Sequence, residues 1–395
     1  AGTEQQYIFE GKPNNGTILI AADDVDGDAA GVGESVQNVT FTTSLIGNPY
    51  PSALDAEEFI RDNIDFDNGF ANPIIQGTIL LWEQWAGSSH YLNEYEGGYG
   101  YVNLTETERA YQHPNITISD PTNPDNRGIK TPTKFIPVGQ AFFVEVVNDG
   151  NIVFNNGQRV FKQEDLGESV FFRSSNTESS TEETAAETQI LRLEFGVSSG
   201  ASRSFVLGFT PDATDGYDYG LDGGLINDPP ADDMGSLLNG QQYVIQAFAP
   251  YTPDKEIDLV LHASGNFTYT LKSTEISNFP ADQDLFVKDL LTGQNYDLRS
   301  TEPYNFTSVA GSFTDRFKVV FQDPAALSTE EFVTDNTLIY VNQPEDKLHV
   351  KQLMEHAQEL TIFNILGQSI KILNSVDNQT LENGVDISDI NRGVY

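Results

Sequence analysis

The chain has 395 residues, too many for one ordinary hydrophobic core of ~100–200 residues, so several domains are expected. Its 59 Asp and Glu against 21 Lys and Arg give a net charge of -38, which argues against nucleic acid and against anionic membrane surfaces as partners. The absence of cysteine excludes a disulfide framework, thiol chemistry and a cysteine-based zinc site, while 25 Phe, 16 Tyr and 2 Trp exclude a disordered acidic chain.

Alternation with a period of two recurs along the chain. The runs are GTILIAA (16–22), GTILLW (77–82), QAFFVEVV (140–147), NIVFNN (151–156), ILRLEF (190–195), SFVLGF (204–209), YVIQAF (243–248), IDLVLHA (257–263), NFTYTLK (266–272) and RFKVVF (316–321). Each is rich in Val, Ile, Phe, Tyr and Thr and is bounded by Gly, Asn, Asp or Pro, the pattern of antiparallel strands with one buried face. One short helix is predicted over SALDAEEFIRDN (52–63), with Ser52 as N-cap and Leu54, Phe59 and Ile60 along one side. RSSNTESSTEETAAETQ, between Phe172 and Ile190, reads as a linker or long surface loop, and QDPAALSTEEFVTDN (322–336) as a second break. The predicted domains are therefore 1–173, 187–323 and 336–395. The expected fold is all-β: two β-sandwich, jelly-roll-like domains followed by a small Ig-like β-sandwich. No apolar run reaches the ~18 residues of a membrane span, so no membrane insertion is expected. INRGVY stops on a strand-like pattern at Tyr395, so the chain reads as a fragment.

Three stretches carry candidate chemistry. In ADDVDGDAAGVGES (22–35), Asp24, Asp26 and Asp28 fall at every second position, a spacing that lets carboxylates converge on a hard cation such as Ca²⁺; an acidic hairpin turn accounts for the same letters. In DATDGYDYGLDGG (212–224), Asp212, Asp215, Asp218 and Asp222 form a second candidate Ca²⁺ set, although Asp and Gly also dominate plain turns. LWEQWAGSSHYLNEYEGGYGY (81–101) concentrates Trp82, Trp85, His90, Tyr91 and Tyr95, followed by Tyr99 and Tyr101. Aromatic faces beside Glu83, Asn93 and Glu94 suit a polysaccharide or surface glycan, and simple core packing is the competing explanation. For catalysis, the five His show no zinc or serine-hydrolase spacing. A non-enzymatic protein is expected, although a glycosidase needs only two carboxylates and the 59 acidic residues leave that alternative open.

The last segment parses into TLIYVNQ, KLHVKQL, ELTIFNIL, QSIKIL and GVDISDINRGVY, with Gly367 allowing a tight reversal between two apolar runs. The order of LTIFNILGQSIK and then VDISDINRGVY resembles the C-terminal sorting domain of cargo exported by the type IX secretion system of Bacteroidota. Leu366, Gly367 and Gln368 match the first motif; Asp386, Ile387, Ser388, Gly393 and Tyr395 match the second. The preceding segments LIGNPYPSALDAEEFI (45–60) and IPVGQAFFVEV (136–146) resemble modules of large secreted proteins of the same group. The resemblance implies a secreted or cell-surface protein of a Gram-negative bacterium, adhesive or structural in role, with the secretion machinery as partner. Two other expectations remain open, a carbohydrate-binding module and a fibre subunit that self-associates through exposed strand edges.

Overall fold

The computed structural model describes residues 8, 10–24, 42–86, 96–111, 128, 130–163, 166–172, 188–198, 202–226, 229–323, 338–342, 344–353, 356–364 and 366–390; the side chains of residues 85, 86 and 96 are not described. The chain is nearly all β, and every alternating run named above overlaps a strand. Ala1–Ala325 form one compact unit and Ala326–Tyr395 another, so the second break separates the units. The segment read as the first linker falls almost wholly outside the described residues.

The N-terminal part of the first unit is built on a five-stranded sheet, in the order Thr42–Gly47, Ala141–Val146, Ile79–Ala86, Glu96–Val102 and Thr107–Glu108. One face, with Ile79, Leu81, Phe142 and Val144, packs against the helix Ala56–Asn63 through its buried Phe59 and Ile60. The Phe59 ring stands edge-on to Phe142 at 5.5 Å and lies 4.9 Å from Phe154. The helix begins later than expected. Asp55, not Ser52, is the N-cap, because Ala53–Asp55 pairs as a short strand with Arg159–Val160 and Phe135–Ile136. The Asp55 carboxylate then accepts the N–H groups of Glu57 and Glu58.

The C-terminal part of the first unit is one large sheet. Its order is Gln294–Asp297, Phe286–Asp289, Gly311–Val320, Glu256–Ala263, Asp233–Leu238, Gln241–Phe248, Ser202–Phe209, Gln189–Val197, Thr268–Ser277 and Tyr304–Thr307, with Gly223–Gly224 beside Gln241–Phe248. Ser202–Phe209 and Gln241–Phe248 run parallel. The sheet rolls onto itself: Phe306, on the last strand of the order, lies 4.8 Å from Phe317, on the third. Inside the roll sits an aromatic-rich core that includes Phe195, Phe205, Phe209, Tyr269, Phe317 and Phe321.

These two parts share a core and a seam. Leu80 and Tyr101, on the other face of the five-stranded sheet, pack with Ile190, Val206, Val244 and Ile245 of the large sheet. The loop before Gly223–Gly224 is stitched across the seam by backbone and side-chain bonds. Gly220 donates to the Gln76 carbonyl at 2.9 Å and accepts from Leu104 N–H at 2.8 Å, Thr105 and Asn103 donate to the Leu221 carbonyl, and Thr78 donates to that of Asp222. Gly77 and Gly220 both hold positive φ here, and a Cβ on Gly77 would fall 2.4 Å from the Gly220 Cα. Residues on both sides of the expected boundary near 173–187 thus belong to one packed body.

The second unit has a three-stranded sheet, Leu338–Asn342, Lys347–Lys351 and Val385–Asp386, and a hairpin, Glu359–Phe363 with Ser369–Asn374. Val350, Val376, Leu381 and Val385 form its small core, and Leu360 and Leu373 from the hairpin pack on it. A short helix, Asn378–Asn383, was not expected from the sequence; it is capped by the Asp377 carboxylate on Thr380 N–H at 2.8 Å.

A tyrosine-lined groove and the sorting domain

Several elements of the first unit converge on a groove of about 630 Å³. Thr43, Phe143, Glu145 and Val147 come from the five-stranded sheet and its continuation, Leu80 and Tyr99 from its neighbouring strands, and Gln76 and Thr78 from the segment before them. The opposite wall is Tyr217, Tyr219, Leu225 and Ile226 from the stitched loop, with Asn239, Gln241 and Tyr243 from a hairpin of the large sheet. Asn239 (φ 52°) and Gly240 (φ 83°) supply the left-handed pair that this tight hairpin turn requires.

The Asp-rich loop is what presents Tyr217 and Tyr219. Asp218 accepts the Thr214 N–H at 2.6 Å and its hydroxyl at 3.0 Å, closing the turn. Asp222, fully buried, accepts the Asp218 N–H and the Ala247 N–H, both at 2.8 Å. Asp215 pairs with Lys255, and Asp212 is exposed. The two buried carboxylates of the expected calcium set are therefore turn-building acceptors. Among the described residues no group of three or more His, Asp or Glu lies placed to hold a metal ion. Of the other acidic run, Asp24 is described, its N–H donating to Asp149 at 2.8 Å; Asp26 and Asp28 lie outside the described residues.

Burial raises the Asp222 pKa to about 7 against the pull of its two N–H donors. Its folded value lies above the unfolded one, so its contribution to stability is complete below the unfolded pKa and is lost as pH rises through about 7. At ~1.4 kcal/mol per unit the loss reaches about 4 kcal/mol between pH 4 and 8. Thermal melts across that range should fall less steeply for Asp222→Asn than for the parent; equal slopes would show that Asp222 titrates normally.

The hydroxyls of Tyr99, Tyr217 and Tyr243 stay protonated near neutrality. Burial raises the pKa of Tyr99 and Tyr217, with Tyr219 and Glu145 adding to the rise at Tyr217, and pushes Tyr243 up to about 12. The Tyr217 and Tyr219 rings meet edge to face at 5.3 Å, and Tyr217 is 38% exposed. The groove therefore offers aromatic faces, neutral hydroxyls and the side-chain amides of Gln76, Asn239 and Gln241.

Among its described residues, the aromatic strip expected at 82–101 reaches the groove through Tyr99. Trp82 is half-buried with its ring 5.0 Å from Tyr99, and Tyr99 in turn stands edge-on to Phe143 at 5.6 Å. Tyr101 is in the shared core, and Glu83 is buried, accepting the Lys130 N–H at 3.2 Å. The Trp85 side chain, His90, Tyr91 and Tyr95 lie outside the described residues. Tyr217, Tyr219, Tyr243 and Glu145 went unrecognised from sequence; the Tyr-x-Tyr of GYDYG was the available signal.

In the second unit the Leu366-Gly367-Gln368 turn is organised by Asn364. Its side-chain oxygen accepts the N–H groups of Leu366 and Gln368, both at 3.0 Å, and Gly367 has φ 73°. Leu366 is 78% exposed, leaving the turn apex presented to solvent. Asp386 accepts the Ser388 N–H at 2.9 Å, a bond that holds its pKa below the usual carboxylate value; Gly393 and Tyr395 lie outside the described residues.

Comparison with known families decides the membership. Residues 1–321 match the family described as Domain of unknown function (DUF8693). The chain belongs to the DUF8693 family. Its single match spans both predicted N-terminal domains, in keeping with the shared core. Beyond the DUF8693 domain, residues 338–395 match the Secretion system C-terminal sorting domain. The chain is thus cargo of the type IX secretion system, delivered to the cell surface or extracellular space in Bacteroidota, with the secretion machinery as partner of its last domain. No curated protein and no solved structure matches the chain. Among the described residues no helix is long and apolar enough to cross a membrane.

Proposed function

We propose that the DUF8693 domain is a glycan-binding module that the sorting domain carries to the cell exterior, where it gives the secreted protein an adhesive role. The observation that carries this reading is the groove itself, in which Tyr99, Tyr217, Tyr219 and Tyr243 stand among the amides of Gln76, Asn239 and Gln241. Sugar rings present C–H faces that stack on aromatic rings, and hydroxyls that pair with amides and phenols. Binding is favoured over hydrolysis because glycoside cleavage takes two carboxyl groups about 5–9 Å apart. Among the described lining residues only Glu145 carries one. Calcium is not part of this reading, since Asp218 and Asp222 already accept bonds from the loop they shape.

The test is a glycan array probed with the full chain, followed by titration of the strongest hit with Tyr217→Ala. Losing a half-exposed stacking ring should weaken binding at least about tenfold, the equivalent of ~1.4 kcal/mol, with the melting temperature nearly unchanged. Hits that bind Tyr217→Ala and Gln241→Ala as tightly as the parent would place the glycan elsewhere and overturn the reading.

A further inference from the structure

We infer that the groove selects uncharged saccharides and rejects those bearing uronate or sulfate groups, an inference that rests on the glycan-binding reading above.

Among the described lining residues there is no Lys, Arg or His, and Glu145 carries the one carboxyl group. A second acid stands directly behind the wall. The carbonyl of Asp222 accepts the hydroxyl of the lining residue Thr78 at 3.1 Å, and the Asp222 carboxyl is close enough to Tyr217 and Tyr243 to act on both phenols. An anionic sugar entering here would give up water without gaining a cation from the described lining residues, and would meet one or two carboxylates of like sign. Arginine is the residue of choice for sulfate and carboxylate groups, because its planar fork meets two oxygens and supplies the opposite charge. Here the donors are phenols and amides, which suit hydroxyl groups and do not neutralise charge. The net charge of -38 acts in the same direction at longer range, slowing the approach of a polyanion. Glu145 sits on the strand Ala141–Val146, half-buried, with its backbone carbonyl accepting the Gln76 N–H at 2.9 Å.

The experiment is an array of matched oligosaccharides that differ in charge alone, such as β-1,4-linked mannose against β-1,4-linked mannuronate and sulfated against unsulfated galactans, probed with the full chain, Glu145→Gln and Glu145→Lys. The expected result is that every parent hit is uncharged, with the acidic counterpart at least tenfold weaker. Glu145→Lys should narrow that gap by at least tenfold, and Glu145→Gln, the milder change, by less; melting curves check that both fold. Higher salt should narrow the gap in the parent as well. Tightest binding to uronate or sulfated glycans would overturn the charge selection and leave the glycan reading standing. No binding to any glycan of either class would overturn the glycan reading, and the inference with it.

Discussion

Replacing Arg192 by methionine should destabilise the DUF8693 domain by about 3–5 kcal/mol, the cost of leaving buried charge without its partner. The guanidinium sits on the strand Gln189–Val197 and gathers carboxylates from both parts of the domain. Its Nε donates to Glu275 at 3.1 Å, one terminal nitrogen bonds Glu108 and donates to the Thr107 carbonyl at 3.0 Å, and the other lies 3.9 Å from Glu106. Burial works against the arginine's charge, and Glu108, Glu106 and Glu275 together outweigh it. Without the arginine, these carboxylates face one another across the seam, and Ser204, which donates to Glu108 at 2.5 Å, satisfies only one oxygen. Methionine keeps much of the side-chain volume, so the loss reports charge rather than a cavity. Urea unfolding followed by fluorescence should show the midpoint falling sharply at pH 7 and partly recovering near pH 5, where stranded carboxylates take up protons. Adding Glu108→Gln should restore a substantial share of the loss. A single variant within 1 kcal/mol of the parent would mean that solvent, not Arg192, holds these acids.

The strands were legible because one face of most of them is buried, which writes period-two alternation into the letters. Some strands give no such signal. Asp233–Leu238 is buried on both faces over Asp233–Ser236 and shows no alternation, while Glu96–Val102 carries three glycines that give the pattern nothing to alternate with. The helix was placed but its start was not, because Ala53–Asp55 is claimed by strand pairing, a contact with residues eighty or more positions away. The unity of residues 1–325 was hidden for the same reason. Its seam consists of bonds such as Gly220 to Gln76 and Arg192 to Glu108, which no local pattern records. At the groove, the aromatic strip pointed to one wall through Tyr99. The facing wall lay inside a loop whose charges drew attention to its aspartates. Only the backbone donors of Asp218 and Ala247 decide that the carboxylate of Asp222 turns inward while Tyr217 and Tyr219 line the opening.

The second large effect is expected at Asp289, where the rolled sheet closes. Asp289 and Arg316 are both buried, with the guanidinium forked onto the carboxylate at 3.1 and 2.9 Å. Tyr304 donates its hydroxyl to the same carboxylate at 3.0 Å, the Leu291 N–H adds a further bond at 3.0 Å, and Arg316 reaches the Thr307 carbonyl at 3.0 Å. Phe286–Asp289 and Gly311–Val320 lie near one end of the sheet order and Tyr304–Thr307 at the other, so this cluster latches the two ends. Asp289→Ala leaves Arg316 charged between the rings of Phe306 and Phe317, 5.0 and 4.7 Å away, with no anion, and should cost about 3–5 kcal/mol. Replacing both partners, as in Asp289→Leu with Arg316→Met, should cost much less, because an apolar pair removes the stranded charge along with its partner. Burial alone would raise the Asp289 pKa, but the bonds and charge of Arg316 outweigh it and hold the carboxyl below its ordinary 3.8. The pair's contribution is therefore complete above the ordinary carboxylate range and is lost as pH falls below it. The gap between parent and Asp289→Ala should hold from pH 8 to 5 and shrink as the solution is acidified below pH 4. A gap that stays constant into acid would show that the latch holds by packing, with the charge pair contributing little.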